Sequence, residues 1–178
     1  MSKKRRLNKS TWPDADVATE AAFGQFVIAW NLLEQQIDFA IHEISGMDWD
    51  LAFCVTANLG TKAKLDIFHA MAHCLSDVLE PELMVTIDAL VGDTGNASGR
   101  LRNFVIHGQP FQVALSDGNQ PFWAKLSARK GGLRGPMIRF SPVYVTNQVE
   151  TVKALYARWE SARAAIFRLV EFLDKELD

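Results

Sequence analysis

Apolar residues recur at three- and four-residue spacing from Phe23 through Phe26, Val27, Trp30, Leu33, Ile37, Ala40, Ile41 and Ile44. This periodicity predicts one long amphipathic helix over residues 16–45, ending before Gly46. Ile28, Leu32 and Phe39 form a second, thinner stripe on it, so the helix should meet two neighbours, or one neighbour and a second subunit. A short helix is expected over 48–58, closed by Asn58 and Gly60. Thr61 then reads as the cap of another helix, which runs through Leu65, Phe68, Ala72 and Leu75 to about residue 77. The last helix is expected from Asn147, with Glu150 placed to complete a capping box. Its stripe is Val152, Leu155, Tyr156, Trp159, Ala162, Ile166, Leu169, Val170 and Leu173.

Between Pro81 and Gly108 the residues Leu83, Ile87, Leu90, Thr94, Ala97, Leu101, Phe104 and Val105 project to one side of a helix. The pattern survives Asp93-Thr94-Gly95-Asn96, so one continuous helix is preferred to a loop over 92–99, although each glycine costs it roughly 1 kcal/mol relative to Ala. Gly92, Gly95, Gly99, Asn103 and His107 gather on the opposite face, with Arg102 at its edge. That face reads as a trough suited to a helix contact, a dimer contact or a ligand. Residues 111–142 change period. Phe111, Val113 and Leu115 alternate with polar residues before Asp117-Gly118, and Phe122, Ala124, Leu126 and Ala128 alternate again before Gly131-Gly132. The expected fold is therefore mainly α, a helical bundle with a small antiparallel β-hairpin or meander inserted at about 111–142, before the C-terminal helix. Residues 1–13 read as a basic tail and 14–178 as a single domain.

Composition agrees with one globular core, since 178 residues are 48% hydrophobic and 22% charged. No apolar run reaches the roughly 18 to 20 residues of a membrane-spanning helix, and the basic start Lys3-Lys4-Arg5-Arg6 leads to polar residues and Pro13 rather than to a secretory signal. Two cysteines without a CxxC exclude a disulfide scaffold, and a reducing cytoplasm is the expected compartment.

The net charge of -2 hides a segregation. Residues 10–117 are strongly acidic, whereas 118–149 hold Lys125, Arg129, Lys130, Arg134 and Arg139 with no acid. Those five side chains are candidates for holding a phosphate backbone, with Trp123 between them placed to stack on a base. The competing explanation is that they keep an exposed edge strand from pairing with another chain.

Asp66, His69 and His73 lie at i, i+3 and i+7 on one predicted helix, yet two His and one Asp are one ligand short of a structural zinc site. Core or surface packing is the simpler role, and neither a metal nor a cofactor is expected. No Ser-His-Asp order, phosphate-binding glycine loop or carboxylate pair stands out.

The segment Arg102-Asn103-Phe104-Val105-Ile106-His107-Gly108 closes the long fourth helical stretch. The bare Arg-x4-His spacing is expected by chance about one time in five in a chain of this composition, but with Asn after the Arg the expectation falls to about one in a hundred. In its Arg-Asn-x3-His-Gly form it resembles the signature of the HEPN superfamily. A further echo is Trp30-Asn31-Leu32-Leu33-Glu34, since HEPN-like proteins often place a polar residue of the first long helix opposite the motif. The resemblance implies a helical bundle, commonly dimeric, and in many members a metal-independent ribonuclease of toxin, phage-defence or RNA-processing systems. Two motif copies then form a composite site across the dimer, and an antitoxin or defence-system partner is implied. The HEPN toxins paired with nucleotidyltransferases carry a Tyr two residues after the His, where this chain has Gln109, which argues against inactivation by modification there.

The chemistry explains why these residues belong together. Attack of an RNA 2′-hydroxyl on the adjacent phosphorus needs proton transfer and stabilisation of extra negative charge. His107 would move the proton, Arg102 would hold the phosphate, and Asn103, one turn before His107, would orient the imidazole or the phosphate. Glu34 completes the candidate set. The alternatives are a noncatalytic HEPN-like module that binds RNA, a nucleotide or a protein, and a purely structural Arg102–Glu34 pair with His107 as a C-terminal cap.

Overall fold

Helix α1 (Val17–Ser45) ends where the sequence places its stop signal: Gly46 takes φ +61°, the left-handed value that closes helices. The Ser45 hydroxyl donates to the His42 carbonyl (3.0 Å) and accepts the Met47 N–H (3.2 Å). The computed structural model describes the backbone of residues 17–107, 109–115, 118–124, 127–129, 132–134, 137–139 and 141–177, and side chains over 17–103, 105–106, 141–172 and at 175. The expected basic tail with Trp12, together with Lys125 and Lys130, lies outside the described residues.

Beyond Gly46 the short α2 (Trp49–Thr56), capped by the Asp48 carboxylate, carries the chain back along α1. Trp49 stacks on Phe39 with ring centroids 4.9 Å apart and meets His42 edge-on, but it stays 40% exposed, at the rim of the core. Next comes α3 (Thr61–Cys74), whose N-cap is Gly60 rather than Thr61. The Thr61 hydroxyl is directed across to α1 instead of to its own helix.

From Pro81, well placed at the first turn, α4 (Pro81–Ala97) passes into a π-helical turn (Ser98–Arg102) and then α5 (Asn103–His107), with no loop between them. The wide turn is marked by the Asn103 N–H reaching the Ser98 carbonyl, a five-residue span. A loop over 92–99 is therefore not what the chain adopts. The helix persists there because buried Thr94 accepts the indole N–H of Trp159 at 2.9 Å.

After α5 the backbone forms strands β1 (Gln109–Leu115), β2 (Gly118–Ala124), β3 (Ser127–Arg129), β4 (Gly132–Arg134) and β5 (Met137–Arg139). These pair antiparallel as β1-β2-β5 and β3-β4, with Phe111 opposite Phe122 and Phe122 opposite Arg139. The last helix, α6 (Pro142–Leu177), starts five residues ahead of the expected Asn147. Ser141 caps it by accepting the Tyr144 N–H (3.1 Å), and Pro142 takes the first-turn position. Glu150 lies inside the helix and pairs with Lys153.

The helices close into a bundle in which α1 packs on α6 and α3, and α4 on α3 and α6. Paired contacts give the directions. Gln36 donates to the Tyr156 hydroxyl (3.2 Å), and seven residues further along both helices Glu43 meets Arg163 (3.5 Å), so α1 and α6 run parallel. Against α3 the order reverses: Asp88 of α4 faces His69 and His73, whereas Gly95 faces Leu65, so α3 and α4 are antiparallel. Phe26, Trp30, Leu33, Ile37, Phe68, Ile87, Leu90, Trp159 and Ile166 fill the centre, with the Phe68 and Trp159 rings 4.9 Å apart.

Charge also enters the seams. Lys64 and Asp38 meet at 2.7 Å with side chains only 7% and 11% exposed. Breaking such a pair leaves an uncompensated buried charge, whereas exchanging both partners for apolar residues removes both desolvation costs. Lys64→Ala is therefore expected to lower stability by about 3 kcal/mol, and Lys64→Met with Asp38→Leu to recover most of it, as read from urea unfolding midpoints.

Glu43 behaves differently. Burial raises its carboxyl above the ordinary glutamate value, and the Arg163 guanidinium, which also lies 5.2 Å from the centre of the Phe39 ring, pulls it partly back. With the folded-state pKa raised, this group's contribution is fully present below the unfolded glutamate pKa and is lost as pH rises through the folded value. Glu43→Gln lacks that loss, so its stability relative to the natural protein should increase as pH is raised from 4 to 7, measured by thermal melts across that range.

Candidate functional site

One carboxylate oxygen organises the α1 side of the site. Glu34 Oε1 accepts the Trp30 indole N–H (2.9 Å), one turn earlier on α1, and the Thr61 hydroxyl from the start of α3. Arg102, the last residue of the π turn, brings its Nε to 3.4 Å from the same oxygen. Trp30 is 2% exposed, so its N–H has no recourse to water, and Glu34 supplies the acceptor. The Arg102 contact is an ion pair by distance without hydrogen-bond geometry, because its buried Nε has no hydrogen-bond partner among the described residues. The guanidinium side chain is 29% exposed, so it is anchored at its inner nitrogen while part of it reaches solvent.

Of the expected set, then, Glu34 and Arg102 are brought together across two distant stretches of chain. Asn103 follows Arg102 as the first residue of α5 and is half-buried, and His107 is the last residue of that helix. On the backbone Asn103 and His107 are one turn apart and share a face, while the side chain of His107 lies outside the described residues. Arg129, Arg134 and Arg139 occupy β3, β4 and β5, and Trp123 stands on β2 opposite Ile138. Their side chains, and Lys125 and Lys130 altogether, fall outside the described residues.

The glycine face does not act as a close helix contact. A Cβ added at Gly92 or Gly99 would meet nothing within 4 Å, and one at Gly95 would only touch the tip of Leu65 at 3.9 Å. An open groove on α4 is instead lined by Asp93, Asn96, Arg100, Leu101, Thr151 and Arg158, against α6, with Arg158 bonded to Asp93 at 2.7 Å.

The candidate metal ligands are also regrouped. Asp66 pairs with Lys62, one turn away on the exposed side of α3, and takes no part with the histidines. The carboxylate that joins His69 and His73 is Asp88, contributed by α4. The hydrogen bond with His69 holds the Asp88 carboxyl below the ordinary aspartate value, opposed by slight desolvation and reinforced by His73.

Sequence reasoning missed Trp30 and Thr61 as partners of Glu34, and Asp88. The Trp30–Glu34 contact carries a readable signal, the i, i+4 spacing. Thr61 and Asp88 join their partners only through tertiary packing. Among the described residues no helix is long and apolar enough to cross a membrane. Comparison of the chain with protein-family models, with curated proteins and with solved structures finds no match in any of the three.

Removing the Glu34 carboxylate strands the buried Trp30 indole N–H and takes away the counter-charge of Arg102 at once. Glu34→Ala should therefore cost about 2 to 3 kcal/mol in urea unfolding, and Glu34→Gln, which retains an acceptor for Trp30 and Thr61, roughly half of that. Equal stability of Glu34→Ala and the natural protein would show that the three contacts do not act as a node.

Proposed function

We propose that the protein is a HEPN-like, metal-independent endoribonuclease whose working site is shared by two copies of the chain. The observation that carries this reading is the meeting of Arg102 with Glu34: the arginine of the Arg-x4-His segment is anchored by an acid of the first long helix, with part of its guanidinium still open to a ligand. A guanidinium 29% exposed, with its inner nitrogen beside an acid, has part of its planar fork left for a phosphate. The wide turn that ends at Arg102 supports the same reading, because single π turns inside α-helices occur frequently at functional sites.

In the reaction, one imidazole takes the proton of the RNA 2′-hydroxyl as its oxygen bonds to the adjacent phosphorus. The bond from phosphorus to the 5′-oxygen breaks, and that oxygen receives a proton from a second imidazole. Arg102 balances the charge that builds on the phosphoryl oxygens. His107 supplies one imidazole per chain, so a twin site gives both the acid and the base. Exposed Ile28 and Leu32 on α1, beside Val149 and Tyr156 of α6, offer an apolar surface for the second copy. The basic 118–149 segment, with Lys125, Arg129, Lys130, Arg134, Arg139 and Trp123, would guide the RNA. An antitoxin or defence-system partner would restrain the activity in a cell.

A second reading has its own support. The oxygen that meets Arg102 also serves Trp30 and Thr61, an arrangement that a noncatalytic module would keep for rigidity while binding RNA, a nucleotide or a protein. Incubation of the purified protein with end-labelled RNA in EDTA separates the two. The nuclease reading expects cleavage leaving a cyclic phosphate, with the rate falling at least about 100-fold in His107→Ala and in Arg102→Ala while the melting temperature of His107→Ala is unchanged. Binding that weakens in His107→Ala with no RNA ever cut would establish the second reading, and cleavage that persists undiminished in His107→Ala would overturn the first.

A further inference from the structure

We infer that His69, His73 and Asp88 form a site for a divalent first-row transition ion of the zinc type, which clamps α3 to α4. The three ligand atoms converge on one spot at the surface of the bundle. His69 Nε2 lies 2.8 Å from Asp88 Oδ1, His73 Nε2 lies 3.2 Å from the same oxygen, and the two imidazole nitrogens are 3.0 Å apart. His69 and His73 stand one turn apart on α3, so their rings share a face, and the antiparallel approach of α4 brings Asp88 level with both.

Protons do not satisfy this triangle. With Asp88 ionised, each contact to its oxygen requires a proton on the facing imidazole nitrogen, yet the contact between the two nitrogens requires that only one of them carry a proton. Whatever the tautomers, at least one of the three short contacts sets donor against donor or acceptor against acceptor. A dication resolves the conflict, because all three atoms then present lone pairs to it. A point about 2.1 Å from each atom, the usual length of a zinc bond to imidazole or carboxylate, lies about 1 Å above the plane of the three. The ligands thus cap one side of an ion and leave its outer positions to water.

Two nitrogens and one oxygen suit zinc and its first-row neighbours, whereas calcium and magnesium favour oxygen alone. The side chains are 39% and 50% exposed for the histidines and 50% for the aspartate, so an ion reaches them without unfolding. Asp88 is fourteen residues before Arg102, about 21 Å along the helical axis, which places the ion away from the proposed RNA site. The clamp and the metal-independent cleavage therefore stand or fall separately.

The test uses the untagged full chain, stripped with chelator, carrying Cys54→Ser and Cys74→Ser so that the two exposed thiols do not compete. Zinc alone is titrated by calorimetry and by thermal melts, with magnesium as the comparison ion. One zinc per chain is expected, with a rise in melting temperature of about 4 °C or more at saturation, and no response to magnesium. His69→Gln and Asp88→Asn should each weaken zinc binding at least tenfold while melting as the parent does in chelator, and Asp66→Asn should bind as the parent does. Absence of zinc binding in the parent, or binding and stabilisation that persist in a His69→Gln/His73→Gln protein, would overturn the assignment.

Discussion

A buried indole must hand its N–H to an acceptor, and in this bundle Trp159 hands it to Thr94 in the fully enclosed centre. That single bond fixes the rotation of α4 about its own axis. With Thr94 turned towards α6, Asp93 falls on the flank that pairs with Arg158, and Asp88 and Gly95, within about 20° of each other on the helical projection, turn towards α3. The meeting of Asp88 with two histidines and the direction in which the chain leaves α4 for Arg102 both follow from it. A polar residue in an apolar stripe is here a rotational lock.

Polar groups at the other seams serve the same end. The parallel run of α1 and α6 is indexed by Gln36 with Tyr156 and by Glu43 with Arg163, one heptad apart on each helix. The α1–α3 seam is indexed by Glu34 with Thr61 and by Asp38 with Lys64. Apolar packing alone tolerates sliding and rotation, whereas buried polar pairs penalise any register that leaves them unmatched. Arg102 is aimed at the Glu34 end of this system rather than at an isolated acid.

Periodicity carries the long helices because their burial is one-sided: the stripe from Phe23 to Ile44 runs inside α1, whose end at Ser45 is the expected one. It does not carry what depends on caps and partners. The start of α6 at Pro142 is signalled by Ser141 followed by proline, but the Asn147–Glu150 spacing imitates a capping box one turn further in. Thr61 has the identity of a cap and spends its hydroxyl on Glu34, a role that no local window reveals. In the site, Arg102 and Glu34 were legible as a motif and its facing acid. Asp88 was not, because α3 itself offers a better-spaced carboxylate in Asp66, and only packing shows that Lys62 occupies it.

The π turn has a further consequence for how the helix can vary. Ala97 and Val105 are both buried, yet eight residues of regular α-helix would set them about 80° apart; the wide turn absorbs that difference. The segments before and after it are therefore phased independently, like two shafts joined by an offset coupling. Tightening this turn into a regular spiral with all its residues kept would swing everything downstream by about 100° and turn the buried side of α5 outward. Deleting one residue between Ser98 and Arg102 would instead restore the spiral and leave that side in place, since seven regular residues end within about 20° of the starting face. The Arg102 end of the molecule therefore depends on the turn staying wide, and it can lose the one surplus residue but not the extra width while that residue remains.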